Sequence, residues 1–135
     1  MTIASPKNLD DKMPMLLDEA WRVRDLAYII GPTRVGCSIL DEDGNLYVGC
    51  NVEHRFRSHD IHAEVNAVSS MIAAGGRKII ALVVVAERER FTPCGACMDW
   101  IMQFCEDDCL IIFQPKRGAP LHRYRASELM PHYPK

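Results

Sequence analysis

Four side chains in two short segments have the types and spacing of a metal-dependent hydrolytic site. His62 and Glu64 stand two residues apart, and Cys94 and Cys97 follow later in the chain, directly after Pro93. Imidazole and thiolate groups are preferred zinc ligands, and three protein ligands leave the fourth tetrahedral position to water, as in catalytic sites. Glu64 is not needed as a ligand, so its carboxylate is free to move protons.

Each of these segments lies where a loop is predicted to enter a helix. Pro93 is favoured at or just before a first helical turn, and Cys94 and Cys97 would share one face of that turn. Helix N-termini present unpaired N–H groups and the positive end of the helix dipole, which stabilise a thiolate. Two thiolates and a neutral histidine would make a zinc site formally neutral, which favours Lewis acidity.

Hydrophobic periodicity and turn residues predict the elements that position these segments. A first helix is predicted over 15–30, ended by Gly31 and Pro32, and the turn at 41–45 predicts a β-hairpin. The other predictions are strands at 35–40, 46–51, 78–86, 109–114 and 121–125 and helices at 62–74, 95–106 and 127–130. This order indicates an α/β fold with a mixed sheet, parallel pairing in its β-α-β-α-β portion and helices on both faces.

Length, composition and charge favour one small globular domain. The chain has 135 residues, of which 48% are hydrophobic and 25% charged, and its formal net charge is −2. The prolines and charges of residues 1–14 predict a flexible tail, with a single domain over 15–135. Because this charge offers no basic surface, we expect a small-molecule partner and no nucleic acid.

The sequence also indicates a compartment. No apolar run is long enough to cross a membrane, and the N-terminal segment lacks the apolar core of a signal peptide. The six cysteines are therefore expected to be reduced thiols, some of them bound to metal. We expect a cytoplasmic protein with no membrane partner.

The His-x-Glu and Pro-Cys-x-x-Cys segments together match the signature of zinc-dependent deaminases. Further similarity lies in Gly49-Cys50-Asn51-Val52-Glu53, in its distance to His62, and in the Glu-Asp-Gly turn at 42–44. On these grounds residues 27–130 resemble the cytidine deaminase family, small zinc-dependent nucleoside deaminases that include blasticidin-S-deaminase-like members. The resemblance implies a three-layer α-β-α fold with a mixed five-stranded sheet.

The same resemblance implies the catalytic roles. His62, Cys94 and Cys97 would bind Zn²⁺ as the cofactor. Glu64 would take a proton from water, deliver it to the ring nitrogen and protonate the leaving ammonia.

For the substrate, the resemblance implies that Asn51 and Glu53 bind the ribose 3′ hydroxyl. The backbone N–H of Ala63 would bind the pyrimidine 2-oxo group. The family is typically a homotetramer with pockets completed by neighbouring subunits, so we expect a homo-oligomer, either a tetramer or a dimer.

Two departures from the family pattern concern the substrate. Thr33 stands where the family has a phenylalanine that packs on the pyrimidine, and Arg34 beside it adds a charge. The loop at 54–60 holds arginines and histidines where the family has small and polar residues. Within this loop Phe56 is a candidate to replace the missing aromatic contact.

Several functions therefore remain open. The first is hydrolytic deamination of cytidine, deoxycytidine or a modified cytosine nucleoside. The alternatives are deamination of a blasticidin-type nucleoside, a purine base or a pterin, and a zinc-stabilised binding domain without turnover. A structural zinc site would need a fourth ligand, for which Cys105 and Cys109 are the nearby thiols, and a Cys-x-x-Cys redox pair would leave His62 and Glu64 unexplained.

Overall fold

The computed structural model of this chain describes residues 6–134, except for the side chains of residues 6–8 and 106–108. Its helices are α1 (Pro6–Arg24), α2 (Ala63–Ala73), α3 (Gly95–Gln103) and α4 (Ala126–Leu129). Its strands are β1 (Gly36–Asp41), β2 (Leu46–Cys50), β3 (Ile79–Val85), β4 (Cys105–Gln114) and β5 (His122–Arg125). Within the described residues, no helix has the length and hydropathy that a membrane span requires.

The five strands form one mixed sheet in the order β2-β1-β3-β4-β5. β3 and β4 pair in parallel, and the other neighbouring pairs are antiparallel. The predicted mixed sheet is confirmed. The parallel pairing predicted for the β-α-β-α-β portion is confirmed for β3 and β4 but is wrong for β2 and β3, because β1 lies between them.

Helices cover both faces of the sheet, as predicted. β3 is buried along almost its whole length, and its alternate side chains enter different clusters. Val83 and Val85 pack with α1, whereas Leu82 and Val84 pack in the cluster that includes α2 and α3. The sheet is therefore the middle of three layers, and the helices that begin with the candidate ligands share one face.

The first helix differs from its prediction at both ends. It begins at Pro6, so the prediction of a flexible tail is wrong for residues 6–14, while residues 1–5 lie outside the described residues. Leu9 and Met13 continue the buried stripe of Leu16 and Ala20 backwards at helical spacing, and this burial outweighs the cost of Pro14 inside the helix.

The same helix ends at Arg24 and not at residue 30. The chain then extends, and Tyr28 forms an isolated bridge with Val52, donating its N–H to Asn51 O at 3.1 Å. Pairing with this segment gives the backbone of Tyr28 a partner outside the helix.

Other boundaries shift by a few residues. α3 ends at Gln103, so residues predicted as its last turn belong to β4. Ile79 at the start of β3 pairs with Cys105 and donates its N–H to Phe104 O at 2.7 Å, which draws that segment into the sheet. The two C-terminal elements, β5 and α4, each lie within one residue of prediction.

Gly49 in β2 allows a close approach of α2 to the sheet. A Cβ atom at this position would lie 2.7 Å from the carbonyl oxygen of Ala63 and closer still to the nitrogen of Ala67. No side chain fits in that space, so glycine is required for β2 and the first turns of α2 to pack directly.

Candidate active site

Three side chains form a cluster with the geometry of a metal site. The Nδ1 atom of His62 lies 3.3 Å from Sγ of Cys97 and 3.4 Å from Sγ of Cys94. All three ligand atoms lie within 4.8 Å of one another. One ion could contact all three atoms.

Two helix N-termini position these ligands. His62 precedes α2 and Cys94 precedes α3, both with extended backbone, and Cys97 lies in the first turn of α3. The carbonyl oxygens of His62 and Cys94 accept the first helical hydrogen bonds, from Asn66 N at 2.9 Å and Met98 N at 2.8 Å. The predicted positions at loop-to-helix junctions are thus observed, and both positive helix ends lie beside the cluster.

This donor set fits Zn²⁺. Burial, followed by the negative charges of Glu64 and Cys94, raises the pKa of the Cys97 thiol far above its usual range. A coordinated cation reverses that effect, because a coordinating thiol is deprotonated. Among the described residues the cluster has three members and includes neither Cys105 nor Cys109. A three-ligand set is typical of catalytic zinc, whereas structural sites are four-coordinate.

Glu64 is buried beside this cluster, with 3% of its surface exposed, in the first turn of α2. Burial raises the pKa of its carboxyl above the ordinary value. A raised pKa suits a group that must both accept and release a proton near neutral pH.

A cavity of about 280 Å³ adjoins the metal cluster. Its volume is near the lower end of the range for small-molecule sites. The lining includes the backbone or side chains of residues from four regions of the chain: Thr33, Val35, Asn51, Glu53, Arg57, Asp60, Ile61, His62, Ala63, Glu64, Arg88, Phe91, Thr92 and Cys94.

The side chain of Asn51 borders this cavity and also forms hydrogen bonds with the backbone of a neighbouring segment. Its Oδ1 accepts a hydrogen bond from Val35 N at 2.8 Å, and its Nδ2 donates to Thr33 O at 2.9 Å. These bonds fix the amide plane while the side chain borders the cavity.

Glu53 is held in a similar way. Its Oε1 accepts hydrogen bonds from the backbone N–H groups of Ile30 and Gly31, at 2.6 and 2.7 Å. These two bonds lower the pKa of Glu53, with a further contribution from Arg57. The carboxylate therefore stays ionised in the cavity.

Ala63 is the first residue of α2, and it is fully buried against the cavity. The first N–H groups of a helix have no intrahelical acceptor. A carbonyl oxygen of a ligand could accept from this N–H.

Phe56 is not brought to the cavity. It is 61% exposed and lies against His54 and His59, with ring centroids 5.5 and 6.1 Å away. Arg34, beside Thr33 in sequence, instead donates to the carbonyl oxygen of Ala27 and does not line the cavity.

Phe91 and Arg88 line the cavity, and sequence reasoning missed both. Phe91 packs against Phe113 at a centroid distance of 6.0 Å, and Arg88 Nη1 donates to Thr33 Oγ1 at 3.4 Å. The position of Phe91 two residues before Pro93 was the available signal, because that loop must pass close to the ligands.

Comparison with known proteins gives a consistent result. A family model described as the cytidine and deoxycytidylate deaminase zinc-binding region matches residues 10–113. The chain is 35% identical over 105 residues to a cytidine deaminase of Sporosarcina psychrophila, covering 76% of this chain and 77% of the relative. It is 31% identical over 119 residues to a cytidine deaminase of Halalkalibacterium halodurans, covering 87% and 89%.

The fold is similar to that of a solved structure as well. A crystal structure of cytidine deaminase from Burkholderia pseudomallei superposes with a TM-score of 0.82 at 28% sequence identity. The match covers 88% of this chain and 96% of the other. The similarity therefore extends over most of both chains.

Proposed function

This chain belongs to the cytidine and deoxycytidylate deaminase zinc-binding family, and on that premise we propose that it hydrolyses the exocyclic amine of cytidine or deoxycytidine. It is a zinc-dependent deaminase, and the reaction would convert the aminopyrimidine and water into the oxo form and ammonia. The observation that best supports the proposal is a buried carboxyl group, Glu64, beside a three-ligand metal cluster in a nucleoside-sized cavity.

The residues of the cluster would hold the metal while Glu64 moves protons. When bound by His62, Cys94 and Cys97, zinc supplies the Lewis acidity that activates water for attack on the amine-bearing ring carbon. Glu64 accepts a proton from the attacking water and delivers it to the adjacent ring nitrogen. It then moves the remaining proton of the added hydroxyl to the amino group, so that the C–N bond breaks, ammonia leaves and the oxo group forms. Its burial keeps bulk water from competing for these protons.

The remaining contacts would orient the nucleoside. The N–H of Ala63 donates to the 2-oxo group, which places the amine-bearing carbon near the metal. Asn51 and Glu53 bind the sugar hydroxyl, and the hydrogen bonds that fix both side chains reduce the entropy lost on binding.

A modified cytosine nucleoside is the second candidate substrate. The cavity surface formed by Thr33 and Arg88 is polar where the family has an aromatic side chain, and this change favours a substrate with an added polar group.

We further propose a cytoplasmic homo-oligomer, either a tetramer or a dimer. Apolar side chains are exposed on three segments joined by isolated bridges, with Tyr28 at 66%, Val52 at 37% and Ile61 at 44%. Contact with a second copy would cover them, as exposed apolar patches often indicate. None of the six cysteines, all within the described residues, forms a disulfide, which suits a reducing compartment.

The test is ammonia release by zinc-loaded protein from cytidine, deoxycytidine, N4- and 5-substituted cytidines, blasticidin S, cytosine, adenosine, guanine and isocytosine. We expect release from cytidine or deoxycytidine. Glu64→Gln should lower that rate at least ~100-fold, because the amide cannot accept the proton, while zinc content stays unchanged.

Two results would contradict this proposal in different ways. If Glu64→Gln keeps most of the rate, the proton-transfer role is wrong. If no compound in the panel releases ammonia although zinc is bound, the binding-domain alternative is favoured instead.

A further inference from the structure

Arg57 links two carboxylates at the edge of the cavity. Its Nη2 lies 3.1 Å from Oε2 of Glu53, and its Nε donates to Oδ2 of Asp60 at 2.9 Å. Arg57 is among the residues that line the cavity, and about half of its side chain is exposed. An arginine at the edge of the cavity is thus fixed at two points.

The loop that contains Arg57 is ordered by its own hydrogen bonds. Asp60 Oδ1 accepts from His54 N at 2.7 Å, and Asp60 N donates to Arg57 O at 3.1 Å. Nearby, Gly31 lies beside the guanidinium, where a Cβ would be at an ordinary contact distance of 3.7 Å from Arg57 Nη1. The hydrogen bonds of the loop and the two ion pairs therefore hold Arg57 at the edge of the cavity.

The hydrogen bonds that Glu53 already forms determine which acceptor positions of its carboxylate remain available to a ligand. Oε1 already accepts two backbone N–H groups, whereas Oε2 contacts only Arg57 among the described residues. A carboxylate oxygen can accept two hydrogen bonds, so Oε2 retains one acceptor position. Arginine has five N–H donors, and the two ion pairs engage only some of those on Arg57.

We propose that Arg57 is a specificity-determining residue that, together with Oε2 of Glu53, binds one sugar hydroxyl as both donor and acceptor. The hydroxyl donates to Oε2 and accepts from the guanidinium. This inference rests on the proposed function, because it assigns the sugar to this end of the cavity. It specifies the substrate class as nucleosides with a free hydroxyl at that position.

The pair also excludes certain groups. An ether oxygen in place of the hydroxyl would lack the proton that Oε2 requires. A phosphate there would face the carboxylates of Glu53 and Asp60, which already pair with the guanidinium of Arg57 and would repel a second anion.

The experiment compares deoxycytidine with 2′,3′-dideoxycytidine, which lacks the 3′ hydroxyl, on the zinc-loaded protein. We expect Arg57→Ala to lower kcat/KM for deoxycytidine by about 10- to 100-fold, mainly through KM, because hydrogen bonds to charged groups are lost. The same variant should change kcat/KM for dideoxycytidine much less. Arg57→Lys should restore part of the difference.

Arg55→Ala is the matched control. Arg55 lies over Phe56, 5.8 Å from its ring centroid, and does not line the cavity. This variant should leave kcat/KM unchanged for both nucleosides. Thermal unfolding and zinc content of each variant show whether the fold and the metal site are intact.

Two outcomes overturn the inference: equal losses for the two nucleosides in Arg57→Ala, or no loss for either. Calorimetric binding of deoxyuridine and 2′,3′-dideoxyuridine gives a readout that needs no turnover. If the protein deaminates neither nucleoside but Arg57→Ala weakens only deoxyuridine binding, the proposed function fails and the Arg57 assignment stands.

Discussion

Charge at the metal centre depends on the choice of one side chain, His62. With two thiolates and a neutral imidazole, a site that binds Zn²⁺ has no net charge, whereas a third thiolate would leave it at −1. The residue that follows Glu64 is the apolar Val65, and the neutral ligand set explains why no cation is needed there.

Phe91 is the aromatic side chain available to pack on a pyrimidine in this cavity. Phe91→Ala should raise KM for cytidine about tenfold with a smaller change in kcat, because an aromatic contact is lost without altering the metal ligands. Phe91→Leu should retain part of the affinity. Steady-state kinetics of the zinc-loaded variants measure both effects.

Phe56 supplies the matched control for this prediction. Its ring is 61% exposed and lies outside the cavity, so Phe56→Ala should leave KM and kcat unchanged. A larger effect from Phe56→Ala than from Phe91→Ala would show that the loop at 54–60 closes over the substrate.

At the scale of elements, α1 extends the core beyond the predicted domain. Met13 is 7% exposed and packs against the sheet, whereas Met15, two residues later, is 55% exposed. Met13→Ala should lower the free energy of unfolding by about 2–5 kcal/mol, as for other buried methionines. Met15→Ala should change it by no more than about 0.5 kcal/mol.

Denaturant unfolding of the two variants provides the comparison. Because both substitutions remove the same side chain from the same helix, helix propensity affects them alike and only burial differs. Equal effects would mean that the N-terminal turns of α1 do not pack on the sheet in solution.

Features that depend on local interactions could be predicted from the sequence, whereas features that depend on contacts between distant segments could not. Local signals predicted the positions of the strands and the loop-to-helix junctions at His62 and Cys94. The insertion of β1 between β2 and β3 could not be predicted this way, because it depends on contacts between distant segments. The same holds for Phe91, since only the folded chain shows which aromatic residue borders the cavity.

At the scale of the whole molecule, exposed apolar residues lie on segments that adjoin the cavity at Ile61. Tyr28, Val52 and Ile61 are joined by isolated bridges, and Leu26 near Tyr28 is 67% exposed. If a second copy covers this surface, the double substitution Leu26→Glu and Tyr28→Glu should shift the molar mass toward the monomer, because buried charges are costly.

Light scattering coupled to size-exclusion chromatography measures that shift. Met15→Glu places the same charge on an exposed apolar position of α1 and should leave the assembly unchanged. A monomeric wild-type protein at micromolar concentration would contradict the proposed oligomer.

The packing at Gly49 fixes the distance between two pairs of residues that we propose to bind the ligand. β2 leads directly into Asn51 and Glu53, and α2 begins with Ala63 and Glu64. Because no gap separates that strand from that helix, neither can slide without the other. If the first pair binds the sugar and the second pair the ring, as proposed, their fixed distance would exclude a compound whose ring and sugar are spaced differently.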